Sequence, residues 1–158
     1  MTFMKITSEG FKHGDRMPVQ FTRDGQNVSP ALKWSDLPAG TKELALICDD
    51  PVAPMPHPFV HWVAYKIDPS AGGLPQGIAK GLTPGGAIGA QGKNDFGDIG
   101  YDGPEPPRGH GMHHYHFRLY ALDTKLDAKP GLDKNGLLAL MEGHILQTAT
   151  LTGTYERS

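Results

Sequence analysis

The stretch Gly103–Asp123, GPEPPRGHGMHHYHFRLYALD, decides how the chain is read, because a stiff Gly/Pro turn runs directly into a histidine-loaded segment with strand alternation. With residues 112–122 extended, His113, Tyr115, Phe117, Leu119 and Ala121 share one face. Met112, His114, His116, Arg118 and Tyr120 share the other. The first set is the more apolar and is expected to face the core, with His113 and Tyr115 as a polar start on a buried face. Buried polar groups need partners, so the pair marks either the floor of a pocket or two core residues bonded to backbone.

Working outward, Leu44–Cys48 (LALIC) is a short apolar run ending in Asp49 and Asp50, the pattern of a fully buried strand. Phe59–Ile67 (FVHWVAYKI) is rich in aromatic and β-branched residues and reads as another strand, with His61 on the parity of Phe59, Val63 and Tyr65. The connection between them, PVAPMPHP, holds four prolines in eight residues and must be stiff. A cis X-Pro bond is expected in it, first at Ala53–Pro54 and next at His57–Pro58. Residues 18–34 carry an Asp-Gly turn and a Ser-Pro stop between short β-prone pieces. From Pro69 to Gly111 the chain is dominated by Gly and Pro, too long for a structureless loop, so ordered turns or a functional role are expected there. Apolar spacing predicts a helix over residues 133–148, with Asp133 or Asn135 as N-cap, and ATLTGTY at 149–155 reads as a strand with one wet face. The elements add up to one mostly β domain over residues 1–158: an antiparallel, Greek-key-like β-sandwich with a few short peripheral helices.

Composition narrows the function classes. The 158 residues include 21 Gly and 14 Pro without a period, interleaved with strand-like runs, as in a loop-rich β protein. A formal charge of −2 offers no basic stripe for nucleic acid. No apolar run approaches the ~20 residues of a membrane span, so no integral membrane contact is expected. MTFMKITSEGF lacks the pattern of a secretory signal, and Cys48, the single cysteine, permits no internal disulfide, so a cytoplasmic location is expected.

Three polar groups sit on predicted buried strands: Asp49 and Asp50 at the end of one, His61 within the next, and His113 with Tyr115 at the start of a third. If those strands are neighbours, a carboxylate, two imidazoles and a phenol converge around a small cavity that can hold an oxyanion. The carboxylate would orient the histidines and favour their charged forms. A metal site competes, since H-x-x-H-H-x-H at 110–116 lets His114 and His116 reach one ion, but a distant third ligand is missing and none is expected. Nucleophilic catalysis has no G-x-S-x-G, and Cys48 ends an apolar strand as an inert thiol. GGAIGAQG at 85–92 lacks the G-K-[ST] ending of a phosphate loop and reads as turns. No catalytic residue and no cofactor are expected.

These motifs, in order, resemble the phosphatidylethanolamine-binding protein family in its bacterial, Raf-kinase-inhibitor-like form. TRDGQNVSPALKW resembles the family's opening block, DDPVAP its D-P-x-A-P motif, FVHWVAYKI its histidine strand, GPEPPRGHGMHHYHFRLYAL its G-x-x-P-P…H-R-Y block, and MEGHILQTATLTGTY the bacterial C-terminal part. The resemblance implies a β-sandwich with an anion pocket for phosphate-like or phosphoethanolamine-like groups, formed by Asp50, Pro54, His61, His113 and Tyr115. Val52 stands where the motif usually has a second aspartate, Glu105 where bacterial members commonly carry cysteine, and His114 in place of the usual arginine. Without that arginine no fixed cation steers anionic partners at this point. The expected function is therefore binding of a small anion or phosphorylated head group, with a regulatory role. Inhibition of a kinase or protease through protein contact is the first alternative and metal-dependent hydrolysis the second. A homodimer is expected from the charge-poor Gly72–Gly100 segment and from the resemblance.

Overall fold

The computed structural model describes residues 3–53 and 56–158. In chain order the strands are β1 (Lys5–Thr7), β2 (Leu32–Ser35), β3 (Glu43–Asp50), β4 (Phe59–Ile67), β5 (Gly73–Leu74), β6 (Ile88–Gln91), β7 (His113–Leu122) and β8 (Ile145–Tyr155). One α-helix, α1 (Lys134–Met141), and two single-turn 3-10 helices at Val19–Phe21 and Pro69–Ala71 lie among them. The strands form two antiparallel sheets, β1-β2-β5 and β6-β4-β3-β7-β8. The expected mostly β sandwich with short peripheral helices is what the chain forms.

Every residue of β3 is buried, because the strand lies at the centre of the larger sheet with apolar layers on both faces. Leu44, Leu46 and Cys48 point inward to Trp62, Phe117 and Leu119, and to Ile6, Leu32 and Trp34 of the smaller sheet. Ala45 and Ile47 point outward to Val63, Tyr65 and Tyr120, beneath Leu137 and Met141 of α1. A side chain of this kind contributes about 1.5–3 kcal/mol when fully buried, so a continuous apolar run is what a strand covered on both faces requires. The same outer layer explains Tyr120. It lies on the more polar face of β7, yet it is buried because α1 and residues 126–128 cover that end of the sheet. The strand begins at His113, leaving Met112 outside it and exposed.

The helix is shorter than its apolar spacing suggests. Asp133 caps it by accepting from Gly136 N at 2.8 Å, but it stops at Met141, and Gly143 follows with φ at +81°. Ile145–Thr148 instead extend β8, pairing with Leu122, Ala121 and Tyr120 of β7. Ladder hydrogen bonds with a formed neighbour outweigh a weak local helical pattern once glycine has closed the helix.

The Gly/Pro-rich segment is ordered. Asn94 organises part of it, its side chain accepting from Phe96 N and Asp98 N and donating to Gly100 O. The GGAIGAQG run forms a turn and β6. Its last glycine, Gly92, is required by packing, since a Cβ there would meet Leu132 O at 1.9 Å. Among the described residues no cis peptide occurs, so His57–Pro58 is trans, and Ala53–Pro54 lies outside the described residues. No described helix is long and apolar enough to cross a membrane.

Gly103 opens the turn that leads to β7. Its N–H donates to Asn27 Oδ1 at 2.7 Å, and a Cβ would meet the backbone oxygen of Phe21 at 2.0 Å. Gly103→Ala is therefore expected to lower stability by about 1–3 kcal/mol through overpacking against rigid backbone. A urea midpoint equal to wild type would contradict this close approach.

Candidate anion-binding site

The larger sheet places the predicted site residues on adjacent strands β4, β3 and β7. What aims them is an irregularity. Along β3 and β4, Cys48 opposes Trp62 while Asp49 opposes Val60, so His61 is an extra residue on β4. This β-bulge puts His61 and Trp62 on the same, inner face, whereas strict alternation would send them to opposite faces. The His61 ring lies 5.1 Å from that of Tyr115, edge to face.

Around these two rings is a cavity of about 200 Å³. Its floor is His61, His113 and Tyr115; Phe59 and Phe96 form an aromatic wall, and Glu105, Pro106 and Pro107 form the rim, with Ala53 beside them. Phe59 and Phe96 meet edge to face at 4.8 Å. The Arg23 guanidinium sits 4.2 Å over Phe96 and pairs with Glu105 through Nε at 3.2 Å, holding wall and rim together.

Asp49 and Asp50, adjacent in sequence, do different work because β3 sends them to opposite faces. Asp49 faces outward and is buried between Arg118 of β7, at 2.5 Å, and Lys134 at the start of α1, at 2.7 Å. Asp50 faces the cavity residues: its Oδ2 accepts from His113 Nδ1 at 2.5 Å, and its Oδ1 accepts from Val52 N at 2.8 Å. It supports His113 from behind and does not line the cavity. The other ring nitrogen, His113 Nε2, is 2.6 Å from His110 Nδ1. In a neutral His113, with Nδ1–H given to Asp50, Nε2 accepts from His110.

His61 Nδ1 donates to the backbone carbonyl of Asp102 at 2.7 Å, which leaves Nε2 as the atom free for a ligand. Burial pushes the His61 pKa below its ordinary value, outweighing the Asp102 carbonyl and the Asp50 carboxylate, which push it up. The Asp50 carboxylate favours the charged form of His61 as expected, but desolvation is the larger effect and the net shift is downward. Burial also pushes the Tyr115 hydroxyl far up, so it remains a donor, and among the described residues nothing hydrogen-bonds it. Pro54 lies outside the described residues.

The metal alternative lacks geometry. Among the described residues no three His, Cys, Asp or Glu side chains converge on an ion position. His114 and His116 stack on the outer face of β7, and His116 Nδ1 is bonded to Thr152 Oγ1 at 2.7 Å. Burial raises the Cys48 thiol well above its ordinary range, as expected for an inert core residue.

The phosphatidylethanolamine-binding protein family model matches residues 7–156. The chain belongs to this family. It is 46% identical over 155 residues to the UPF0098 protein of Methanothermobacter thermautotrophicus, covering 98% of this chain and 99% of that one. Among solved structures, a phosphatidylethanolamine-binding protein homolog from Chlamydia trachomatis is similar over 100% of both chains, with 37% identity and a TM-score of 0.88. Escherichia coli YbcL, described as a member of the mammalian family, gives a TM-score of 0.90 at 31% identity over 99% of this chain and 100% of that one.

Sequence reasoning missed the part of this family member that holds His61 in place. The Asp102 side chain is buried and accepts from Lys80 Nζ (2.6 Å), Asn27 Nδ2 (2.8 Å), Asn94 Nδ2 (2.9 Å) and Arg23 Nη1 (3.2 Å). Its backbone carbonyl is the group that fixes the His61 tautomer. The four donors come from scattered turns; the one sequence signal is a lone aspartate before G-P-E-P-P, and it does not identify them.

Burial pushes the Asp102 carboxyl up, but hydrogen bonding with Lys80, Asp98, Asn27 and Asn94 outweighs it and holds the carboxyl at about 2, below its ordinary 3.8. A depressed folded value stabilises the fold above the unfolded value, and this stability is lost as pH falls from about 4 towards 2. Its size is about 1–2 kcal/mol once the half-exposed Lys80 is discounted for solvent screening. Asp102→Asn is expected to remove that part of the acid sensitivity and to loosen His61, read from urea midpoints between about pH 2 and 6 and from the His61 ring nitrogen shifts. Parallel midpoint curves for mutant and wild type would refute it.

Proposed function

We propose that the protein binds a small phosphoryl head group in the cavity between β4 and β7, and that this binding is its function. The observation that carries the reading is the pair of unpartnered groups, His61 Nε2 and Tyr115 Oη, facing one cavity beside the Asp50-supported His113. A phosphoryl group supplies both kinds of partner they need: an oxygen to accept from Tyr115, and a P–OH to donate to neutral His61. Two carboxylates lie close by, Asp50 behind His113 and Glu105 on the rim, so a bare dianion is disfavoured. A head group carrying an ammonium is better matched, with the cation towards Glu105 and the Phe59–Phe96 wall. Phosphoethanolamine has this form. No activated nucleophile faces the cavity among the described residues, which favours binding over chemistry.

Affinity should rise as pH falls. His61 is neutral near pH 7 and gains an Nε2–H only on protonation, so a bound anion raises its pKa from the lowered free value. Between the free and bound values, affinity changes by up to about tenfold per pH unit, because one proton is taken up with the ligand. Asp50→Asn removes a charge that favours the imidazolium and is expected to shift the curve to lower pH. His113→Ala should weaken binding at every pH. Calorimetry with phosphate and phosphoethanolamine between about pH 5 and 8, where histidine titrates, tests the reading: flat, identical curves for all three proteins would exclude this cavity.

His110 occupies the His113 Nε2 that a ligand would use. His110→Ala is expected to raise phosphoethanolamine affinity by roughly threefold to tenfold, the net value of one hydrogen bond. An unchanged or lower affinity would mean that His110 itself holds the ligand or takes no part.

A further inference from the structure

A second cleft, of about 290 Å³, lies between the β1–β2 connection, Arg108 and residues 155–158. Arg16, Arg108 and Arg157 all line it, with Asp24, Tyr155 and Glu156. We propose that this cleft is a second anion site, distinct from the histidine cavity, and that its ligand is a phosphoryl group.

Two of the three guanidinium groups, those of Arg16 and Arg108, lack a carboxylate partner among the described residues. Asp24 is used up: its Oδ1 pairs with Arg157 Nη2 at 3.1 Å and its Oδ2 accepts from the Tyr155 hydroxyl at 2.9 Å. Arg157 Nε is nevertheless a buried donor without an acceptor, the one such side-chain nitrogen or oxygen among the described residues. That nitrogen is buried, so an anion in the cleft meets Arg157 through the outer nitrogens of its guanidinium. Arg16 has no carboxylate partner among the described residues; its guanidinium lies 4.6 Å over the Tyr155 ring, which fixes its position and leaves its N–H edges free. Arg108 also has no ion pair among the described residues. Glu156 and Ser158, which bears the terminal carboxylate, also line the cleft, so three guanidinium groups share it with Asp24, Glu156 and that carboxylate. Planar forked donors from three arginines suit the tetrahedral oxygens of a phosphoryl group, each oxygen accepting from more than one N–H.

The backbone makes the cleft more than a chance gathering of flexible side chains. Gly109 N donates to Arg157 O at 2.9 Å, tying the last segment to the turn that carries Arg108. Arg16 lies on a segment bridged to β8 at Thr154, with Met17 N donating to Thr154 O at 2.8 Å. The three arginines thus project from backbone held on two sides.

The arginine side-chain N–H signals of ¹⁵N-labelled protein, titrated with inorganic phosphate at constant ionic strength, read the site directly. Wild type and His113→Ala should both show a saturable shift of the Arg157 Nε–H signal, because the cleft does not depend on the histidine cavity. Arg108→Ala and Arg16→Ala should each weaken that response about tenfold, the effect of losing one charged hydrogen bond. Arg108 is exposed and has no ion pair among the described residues, so its variant tests the site even if Arg16→Ala disturbs packing on Tyr155. A silent Arg157 signal, a shift that rises linearly without saturating, or a response untouched by Arg108→Ala would overturn the proposal. Co-sedimentation with phosphatidic acid vesicles then identifies the source: pelleting that Arg108→Ala abolishes assigns a lipid phosphate, and no pelleting assigns a soluble one.

Discussion

The site depends on one extra residue in β4. Opposite the Cys48–Asp49 step of β3, β4 spends three residues, Val60, His61 and Trp62, where regular pairing would use two. The bulge lets Trp62 remain in the inner core while His61, beside it, also turns inward to meet Tyr115 and the Asp102 carbonyl. Regular alternation cannot place both there. Removing the bulge would put either a tryptophan or a histidine under the outer layer with Val63 and Tyr65. Bulges recur beside functional sites because they re-aim a side chain without disturbing the sheet on either side.

Around that bulge the protein separates its charges by face. Asp50 and Asp49 leave β3 in opposite directions, one to support an imidazole at the cavity and the other to join β7 and α1 through Arg118 and Lys134. Asp102 joins three loop segments through its carboxylate and one histidine through its carbonyl. A buried carboxylate is tolerated only when its lone pairs are filled, and each of these three is. The cavity is therefore surrounded by a rigid polar scaffold while its own exposed groups, His61 Nε2 and Tyr115 Oη, remain open.

Membership of the phosphatidylethanolamine-binding protein family and the individual residues of this chain bear on different questions. The family match over residues 7–156 accounts for the sandwich and the order of the motifs. The balance of charge at the cavity is set by individual residues: Glu105 on the rim, His110 on His113, and Arg23 joined to both Glu105 and Asp102.

The sequence by itself determined the periodic elements. The LALIC run is buried on both faces, FVHWVAYKI and HHYHFRLYAL are strands, and a helix starts near Asp133, because burial on a pleated or helical surface imposes a local period that side chains must match. It also determined that His113 and Tyr115 share a buried face. Tertiary structure decided what has no period. The bulge that turns His61 inward arises from a pairing between two strands, and neither strand's sequence records it. The end of α1 at Met141 and the recruitment of Ile145–Thr148 into β8 depended on β7 offering a ladder. The low pKa of His61 followed from burial, and Asp102 gained its role from four donors that fold together from three separate segments. Local pattern reports which face a residue prefers; only long-range packing settles which groups meet there and how much water they keep.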